Sequence, residues 1–342
     1  MKKIFTVLTT FTLVFILVSC ATVADKREDS LSLWTEGSEA KNAIVSFVEA
    51  ATDKDNPGYI PMERRVAVFD MDGTLLSETI PDYIDHFVLR ARVLNDPEYR
   101  EKASDFEKEI VNRILELSET SSPVGGLDVE HGKALASAFS GMTVDEFISF
   151  VQTNVKTLPV EGYEGLLRGD TFFLPMVQLI QYLQKNGFTV YIVSGTDRFI
   201  CRALVSGSAI DLPFSQIIGS DVLLKATNQG DTDGLKYTYT SSDEVILGGE
   251  MVKKNLKMNK VTAIVREIGV QPVLSFGNSS GDAAMANYTI TSNSYPSLAF
   301  MLCCDDTVRE NGNLEKAASM YSMCAQNGWI PVSMKNDWTK IY

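Results

Sequence analysis

Two carboxylates stand two residues apart in Phe69-Asp70-Met71-Asp72-Gly73-Thr74-Leu75, directly after the apolar run Val66-Ala67-Val68-Phe69. A short uninterrupted apolar run that stops at an acid reads as a strand buried on both faces. The acid pair therefore sits where that strand opens into a turn. Such a pair suits phosphoryl transfer. Asp70 can attack phosphorus and form an aspartyl-phosphate, while Asp72 can protonate the leaving oxygen and later deprotonate the attacking water. Gly73 lets the chain turn tightly, so that backbone N–H groups can face an anion. A calcium loop also uses closely spaced acids, but it needs another acid or Asn at its fifth position and Glu at its twelfth. Thr74 and Pro81 stand there, and that reading fails.

Two further loops follow apolar runs. Val190-Tyr191-Ile192-Val193 ends at Ser194-Gly195, and Val273-Leu274-Ser275-Phe276 ends at Gly277-Asn278-Ser279-Ser280-Gly281-Asp282. The second contains G-x-S-x-G, the nucleophile elbow of serine esterases, which require a histidine later in the chain. The two histidines, His86 and His131, both precede it, so the esterase reading fails. That scarcity also argues against a histidine-rich metal site, and each histidine reads as structural or solvated. Asp231-Thr232-Asp233-Gly234 imitates the first acid pair, but no buried strand precedes it, and a turn is expected.

Taken in order, these segments resemble the motifs of haloacid dehalogenase superfamily phosphatases, in the phosphoserine-phosphatase-like branch, from about Arg64 to Asp306. The resemblance implies Asp70 as nucleophile and Asp72 as general acid and base, with Thr74 and Gly195 beside the substrate. It places the Ser194 hydroxyl on a phosphate oxygen and a lysine on the nucleophile and transferring group. That lysine is expected to be Lys260, with Lys253, Lys254 and Lys257 as rivals. Mg²⁺ is the implied cofactor, held by Asp70, Asp72, Asn278 and Asp282. Asn278 replaces the family's usual acid; its amide oxygen can ligate Mg²⁺ but adds no charge. Glu78 lies near the glutamate that meets the substrate ammonium in phosphoserine phosphatases, and equally suits a helix-start acid. In the former case an amine-bearing ester is attractive, with Tyr83 and Phe87 on the following helix either packing a quaternary amine or, the more ordinary reading, forming core of the cap. Asp72 favours a phosphatase or phosphomutase over a dehalogenase, which needs no leaving-group proton. A catalytically weak binding module is the reading that Asn278 supports.

These loops need a scaffold. Gln216–Gly219 and Ser297–Cys304 read as further strands, and helical patterns at Met176–Lys185, Arg198–Leu204, Lys260–Ile268 and Ala283–Asn287 separate the runs. Such alternation predicts an α/β fold, a doubly wound parallel sheet of the Rossmann-like type. Residues 81–171 show helical spacing only, with a capping box at Thr143–Glu146, and are expected to form a helical cap inserted after the first motif. Residues 60–80 and 172–342 would then make the core, and residues 20–59 a polar tether with a short helix near Asn42–Ala51. Lys236–Leu247 alternates like a β-ribbon.

The chain of 342 residues is long enough for one large core. Its formal charge of −13 becomes −15 once Lys2 and Lys3 are removed, which argues against nucleic acid as a partner. Both lysines belong to residues 1–19, which read as a signal peptide too short for a comfortable membrane span. Leu17-Val18-Ser19-Cys20 resembles a bacterial lipobox. It implies export and a lipid anchor on Cys20, on the outer membrane if the cell has two. Cys201, Cys303, Cys304 and Cys324 lack metal-ligand spacing and read as small buried hydrophobes, although export would allow a disulfide.

Overall fold

A computed structural model describes residues 31–78, 82–120 and 127–342, so the leader and Cys20 lie outside the described residues. Helix α1 (Glu39–Thr52) is capped by Ser38 and buries Ala40, Ile44, Phe47 and Val48. It is longer than the expected short helix. Residues 31–38, expected within a polar tether, are packed into the protein instead, with Leu31 and Trp34 buried.

Strand β1 (Val66–Phe69) is buried at every position, as an uninterrupted apolar run requires. The helices α2 (Ile84–Arg90), α3 (Asp105–Thr120), α4 (Leu127–Ala138) and α5 (Val144–Asn154) follow it. The expected capping box starts α5: Glu146 N donates to Thr143 Oγ1 at 3.1 Å, and Thr143 N donates to Glu146 Oε2 at 2.8 Å. Then come α6 (Leu174–Lys185), β2 (Thr189–Asp197), α7 (Arg198–Val205), β3 (Ile217–Ala226) and β4 (Val245–Lys253). The chain closes with α8 (Met258–Ala263), β5 (Leu274–Gly277), α9 (Ala283–Ile290), β6 (Leu298–Cys303), α10 (Leu314–Asn327) and β7 (Ile330–Ser333). Residues 31–342 form one compact unit.

The sheet has the order β4-β3-β2-β1-β5-β6-β7. All neighbours are parallel except β3 and β4. The chain leaves β1 toward β2 and β3, then returns to β5 on the other side of β1. A crevice opens at such a reversal, beyond the carboxyl ends of the strands. Register brings the ends of β1 and β5 level, with Phe69 opposite Phe276, and sets Ile192 of β2 on the other side of Phe69. The rings of Phe69, Phe276 and Phe300 stack in a column with centroids 4.4 and 4.8 Å apart. Each ring contributes about 1.5–3 kcal/mol through burial, and together they stiffen the floor beneath those ends.

The ribbon and the number of strands differ from expectation. The ribbon is built from β3 and β4, and Lys236–Glu244 is turn and loop between them. The Asp231–Gly234 segment is indeed an exposed turn, closed by Leu235 N on Asp233 Oδ1 at 2.8 Å. The sheet also gains β7, which Pro331 obscured as a strand signal, since proline is tolerated at sheet edges. All four described cysteines are buried free thiols. Among the described residues no helix is long and apolar enough to cross a membrane.

Candidate active site

The turn after β1 is fixed by Met71, whose carbonyl accepts from Thr74, Leu75 and Leu76 N–H groups at 3.2, 2.8 and 2.9 Å. Gly73 takes φ +74° there, and a Cβ on it would stand 1.9 Å from Asn278 Nδ2. Only glycine fits both the backbone and the space. Asp70 N donates to the Phe276 carbonyl at 2.9 Å, tying the first acid to the end of β5.

Lys260, fully buried on α8, reaches between two acids. Its Nζ donates to Asp70 Oδ1 at 2.5 Å and to Asp282 Oδ1 at 2.6 Å. The rival lysines take other partners and positions: Lys254 meets His131, Lys257 stands at the start of α8, and Lys253 ends β4. Burial would discharge Lys260, but Asp282 and Asp70 outweigh it and hold the ammonium charged. Burial and Asp282 push the Asp70 carboxyl upward, partly offset by Lys260. The other oxygen of Asp282, Oδ2, accepts from Asn278 N, Ser279 N and Ser279 Oγ, each at 3.1 Å. Asp282 thus shapes its own loop and seats Lys260, so both its oxygens are occupied.

Asp72 is bound differently. Thr196 Oγ1 donates to its Oδ2 at 2.7 Å, while Oδ1 is buried without a partner among the described residues. Burial first, then the charge of Asp85, raises its carboxyl to about 7 against the Thr196 hydrogen bond. A carboxyl that holds a proton near neutrality is suited to general acid work.

These groups line a cavity of about 620 Å³. Asp70, Asp72, Glu78, Gly195, Asn278 and Asp282 are on its wall. Thr74, Ser194 and Lys260 are wholly buried behind it. The Ser194 hydroxyl does not face the cavity as expected; it turns inward and accepts the Thr196 N–H at 3.1 Å. Thr196 occupies the wall in its place. Glu78 faces the cavity but forms an ion pair with Lys316 of α10, so it meets a protein ammonium. Phe87 is covered by Arg168, 3.5 Å above its ring, whereas Tyr83 remains on the wall.

Sequence reasoning missed Thr196 and the α10 wall, and offered Lys254 only as a rival to Lys260. Thr196 directly follows the expected Ser194-Gly195 pair, so the strand end itself was the available signal. Lys316 is over two hundred residues from its partner Glu78, and no local pattern could join them.

A family model for haloacid dehalogenase-like hydrolases matches residues 67–287, which span both acid loops and the lysine between them. The chain belongs to that family. The hydrolase shares its fold with a conserved functionally unknown protein from Anaerococcus prevotii DSM 20548, at 15% identity and TM-score 0.51, covering 86% of this chain and 91% of that one. It is also similar to cytosolic 5'-nucleotidase IIIB bound to cytidine, at 12% identity and TM-score 0.50, covering 87% of this chain and 86% of that one. A substrate-bound phosphoserine phosphatase aligns at 13% identity and TM-score 0.36, over 74% of this chain and 90% of that one. No curated protein matches the sequence.

Proposed function

We propose that the hydrolase cleaves small phosphomonoesters through an aspartyl-phosphate on Asp70. The observation that carries this reading is the buried Lys260 ammonium held between Asp70 and Asp282, with Asp72 facing the same cavity. The ammonium orients the Asp70 carboxylate and offsets negative charge as phosphorus is attacked. One Asp70 oxygen forms the new P–O bond while the ester P–O bond breaks, and the departing oxygen takes the Asp72 proton. Water then attacks phosphorus as Asp72 takes back a proton. The acyl-phosphate P–O bond breaks, releasing inorganic phosphate and the Asp70 carboxylate. Thr196 fixes the Asp72 rotamer throughout, and Asp282 seats Lys260.

The donors around Asp70 fit Mg²⁺. Asp70, the Asp72 carbonyl and the Asn278 amide offer hard oxygens. Three buried carboxylates (Asp70, Asp72 and Asp282) stand against the single buried Lys260. Because Asp282 is already engaged on both oxygens, Asp70, Asp72 and Asn278 are the ligands we assign. When bound, Mg²⁺ supplies charge neutralisation of the transferring phosphoryl group.

Seven carboxylates and three lysines line the cavity, and Tyr83 adds an aromatic face. That balance supports a leaving group bearing a cationic amine. The same proposal places the enzyme outside the cytoplasm on a lipid anchor at Cys20, supported by the lipobox-like Leu17–Cys20. Palmitate labelling lost in Cys20→Ser tests the anchor.

Phosphate release from a panel of phosphomonoesters, with and without Mg²⁺, tests the chemistry. Metal-dependent release abolished by Asp70→Asn, strongest for amine-bearing esters, is expected. Phosphorylated sugar products in place of free phosphate would indicate a mutase. A folded protein releasing no more than Asp70→Asn would be a binding module.

A further inference from the structure

The chain has only two histidines, and folding brings them together. His86 on α2 and His131 on α4 meet edge to face with ring centroids 4.7 Å apart. Asp85 completes the group: one ligand atom from each of Asp85, His86 and His131 lies within 4.8 Å of the other two. All three residues are at least nine-tenths buried.

Each ring is oriented through Nδ1. His131 Nδ1 faces the Leu127 carbonyl at 2.7 Å, and His86 Nδ1 faces Asp82 Oδ2 at 2.8 Å. Both partners accept hydrogen bonds, so in the neutral rings Nδ1 carries the proton and Nε2 the lone pair. Histidines that ligate metals are held in this way by an outer carbonyl or carboxylate. The remaining contacts are poorly satisfied by protein alone. His131 Nε2 lies 2.8 Å from Asp85 Oδ2, where a lone pair would oppose a carboxylate oxygen unless a proton or cation joins them. Asp85 Oδ1 is buried with no hydrogen-bond partner among the described residues, a costly state for a carboxylate oxygen. The nearby cation is Lys254, whose Nζ is 3.2 Å from His131 Nε2 and 3.8 Å from Asp85 Oδ2.

We propose that Asp85, His86 and His131 form a site for a divalent transition ion of the zinc class, separate from the Mg²⁺ ligands, with Lys254 as the cation it displaces. Two imidazoles and one carboxylate match the three-ligand set that zinc takes in open sites, whereas Mg²⁺ selects oxygen donors. The three ligand atoms already lie within 4.8 Å of one another, and side-chain rotation can bring them to zinc bonds of about 2.0–2.2 Å. Asp85 and His131 are on the cavity wall, so the ion has a route in and an open coordination position facing the cavity. Once bound, it ties α2 to α4 and places positive charge on the wall shared with Asp72. This inference goes beyond the phosphatase reading and does not depend on it.

The test is titration of the full protein with Zn²⁺ by calorimetry, and with Co²⁺ by visible absorption, in millimolar Mg²⁺ that occupies the oxygen site. One Zn²⁺ per chain with Kd below about 1 μM is expected. Co²⁺ should give d–d bands without a thiolate charge-transfer band, which separates this site from the four buried cysteines. Asp85→Asn and His131→Gln should each weaken binding at least about tenfold, with circular dichroism confirming the fold. Lys254→Met should tighten binding, because it removes the competing ammonium without touching a ligand. Equal binding by wild type, Asp85→Asn and His131→Gln would overturn the proposal. So would the absence of zinc binding in both wild type and Lys254→Met.

Discussion

At the scale of single residues, the two motif-one acids are made unequal by what they touch. Asp70 is held by an ammonium, whereas Asp72 is held by a hydroxyl and keeps one buried oxygen unpaired among the described residues. Asp72→Asn should therefore lower kcat by about 10²–10⁴-fold for alkyl phosphates, which need a leaving-group proton. A far smaller loss is expected for an aryl phosphate such as p-nitrophenyl phosphate. Equal losses for both ester types would remove Asp72 from the proton-transfer role. As an acid, Asp72 must be protonated, so alkyl ester turnover should fall as pH rises through about 7. Asn278 carries a separate expectation. Asn278→Asp adds a negative charge beside the hard-oxygen donors and should lower the Mg²⁺ concentration for half-maximal activity. An unchanged metal requirement would count against Asn278 as a ligand.

At the scale of elements, β2 ends in a residue that must serve both strand and helix. Asp197 caps α7, with Oδ1 accepting from Phe199 N at 2.8 Å and Ile200 N at 3.3 Å. Its carboxyl is nonetheless raised to about 7: burial dominates, and the two capping bonds oppose it. A folded value above the unfolded one means the native state holds more protons between about pH 4 and 7. Asp197 therefore contributes stability at low pH that is lost as pH rises through that window. Asp197→Asn keeps the capping oxygen and cannot ionise. Its melting temperature relative to wild type should increase between pH 5 and pH 8. Parallel melting curves at the two pH values would sink this account.

At the scale of the whole molecule, the two ends of the described chain lock each other in place. Trp34 and Trp338 pack edge to face at 6.1 Å, and Trp34 Nε1 donates to the Pro175 carbonyl at 2.9 Å. Thr35 N donates to Asp337 O at 2.8 Å, and Thr339 N donates to Leu33 O at 2.9 Å. Trp338→Ala should cost about 3–5 kcal/mol, read by denaturant unfolding, because the aromatic pair is fully enclosed. A change below about 1 kcal/mol would show that this junction adds little. The C-terminal segment also supplies α10, and hence Lys316 against Glu78 on the cavity wall. The tail to which sequence reasoning assigned no chemistry thus brings part of the site.

What the sequence determined by itself was local: which runs are strands, which acids stand at their ends, and where the stretch without strands interrupts them. Burial periodicity and turn chemistry are properties of neighbouring residues, so Asp70, Asp72, Asn278 and Gly73 directly after the acids were legible. Even the family could be read from the order of those segments. Tertiary structure alone decided which of four lysines reaches Asp70, because that depends on where the fold carries α8 relative to β1. It also turned Ser194 inward and placed Thr196 on Asp72 through the twist at the end of β2. The two histidines show the difference most directly. Forty-five positions apart in sequence they looked solitary, and only the packing of α2 on α4 set them over one carboxylate. Distances across a fold are fixed by packing, which no run of adjacent residues contains.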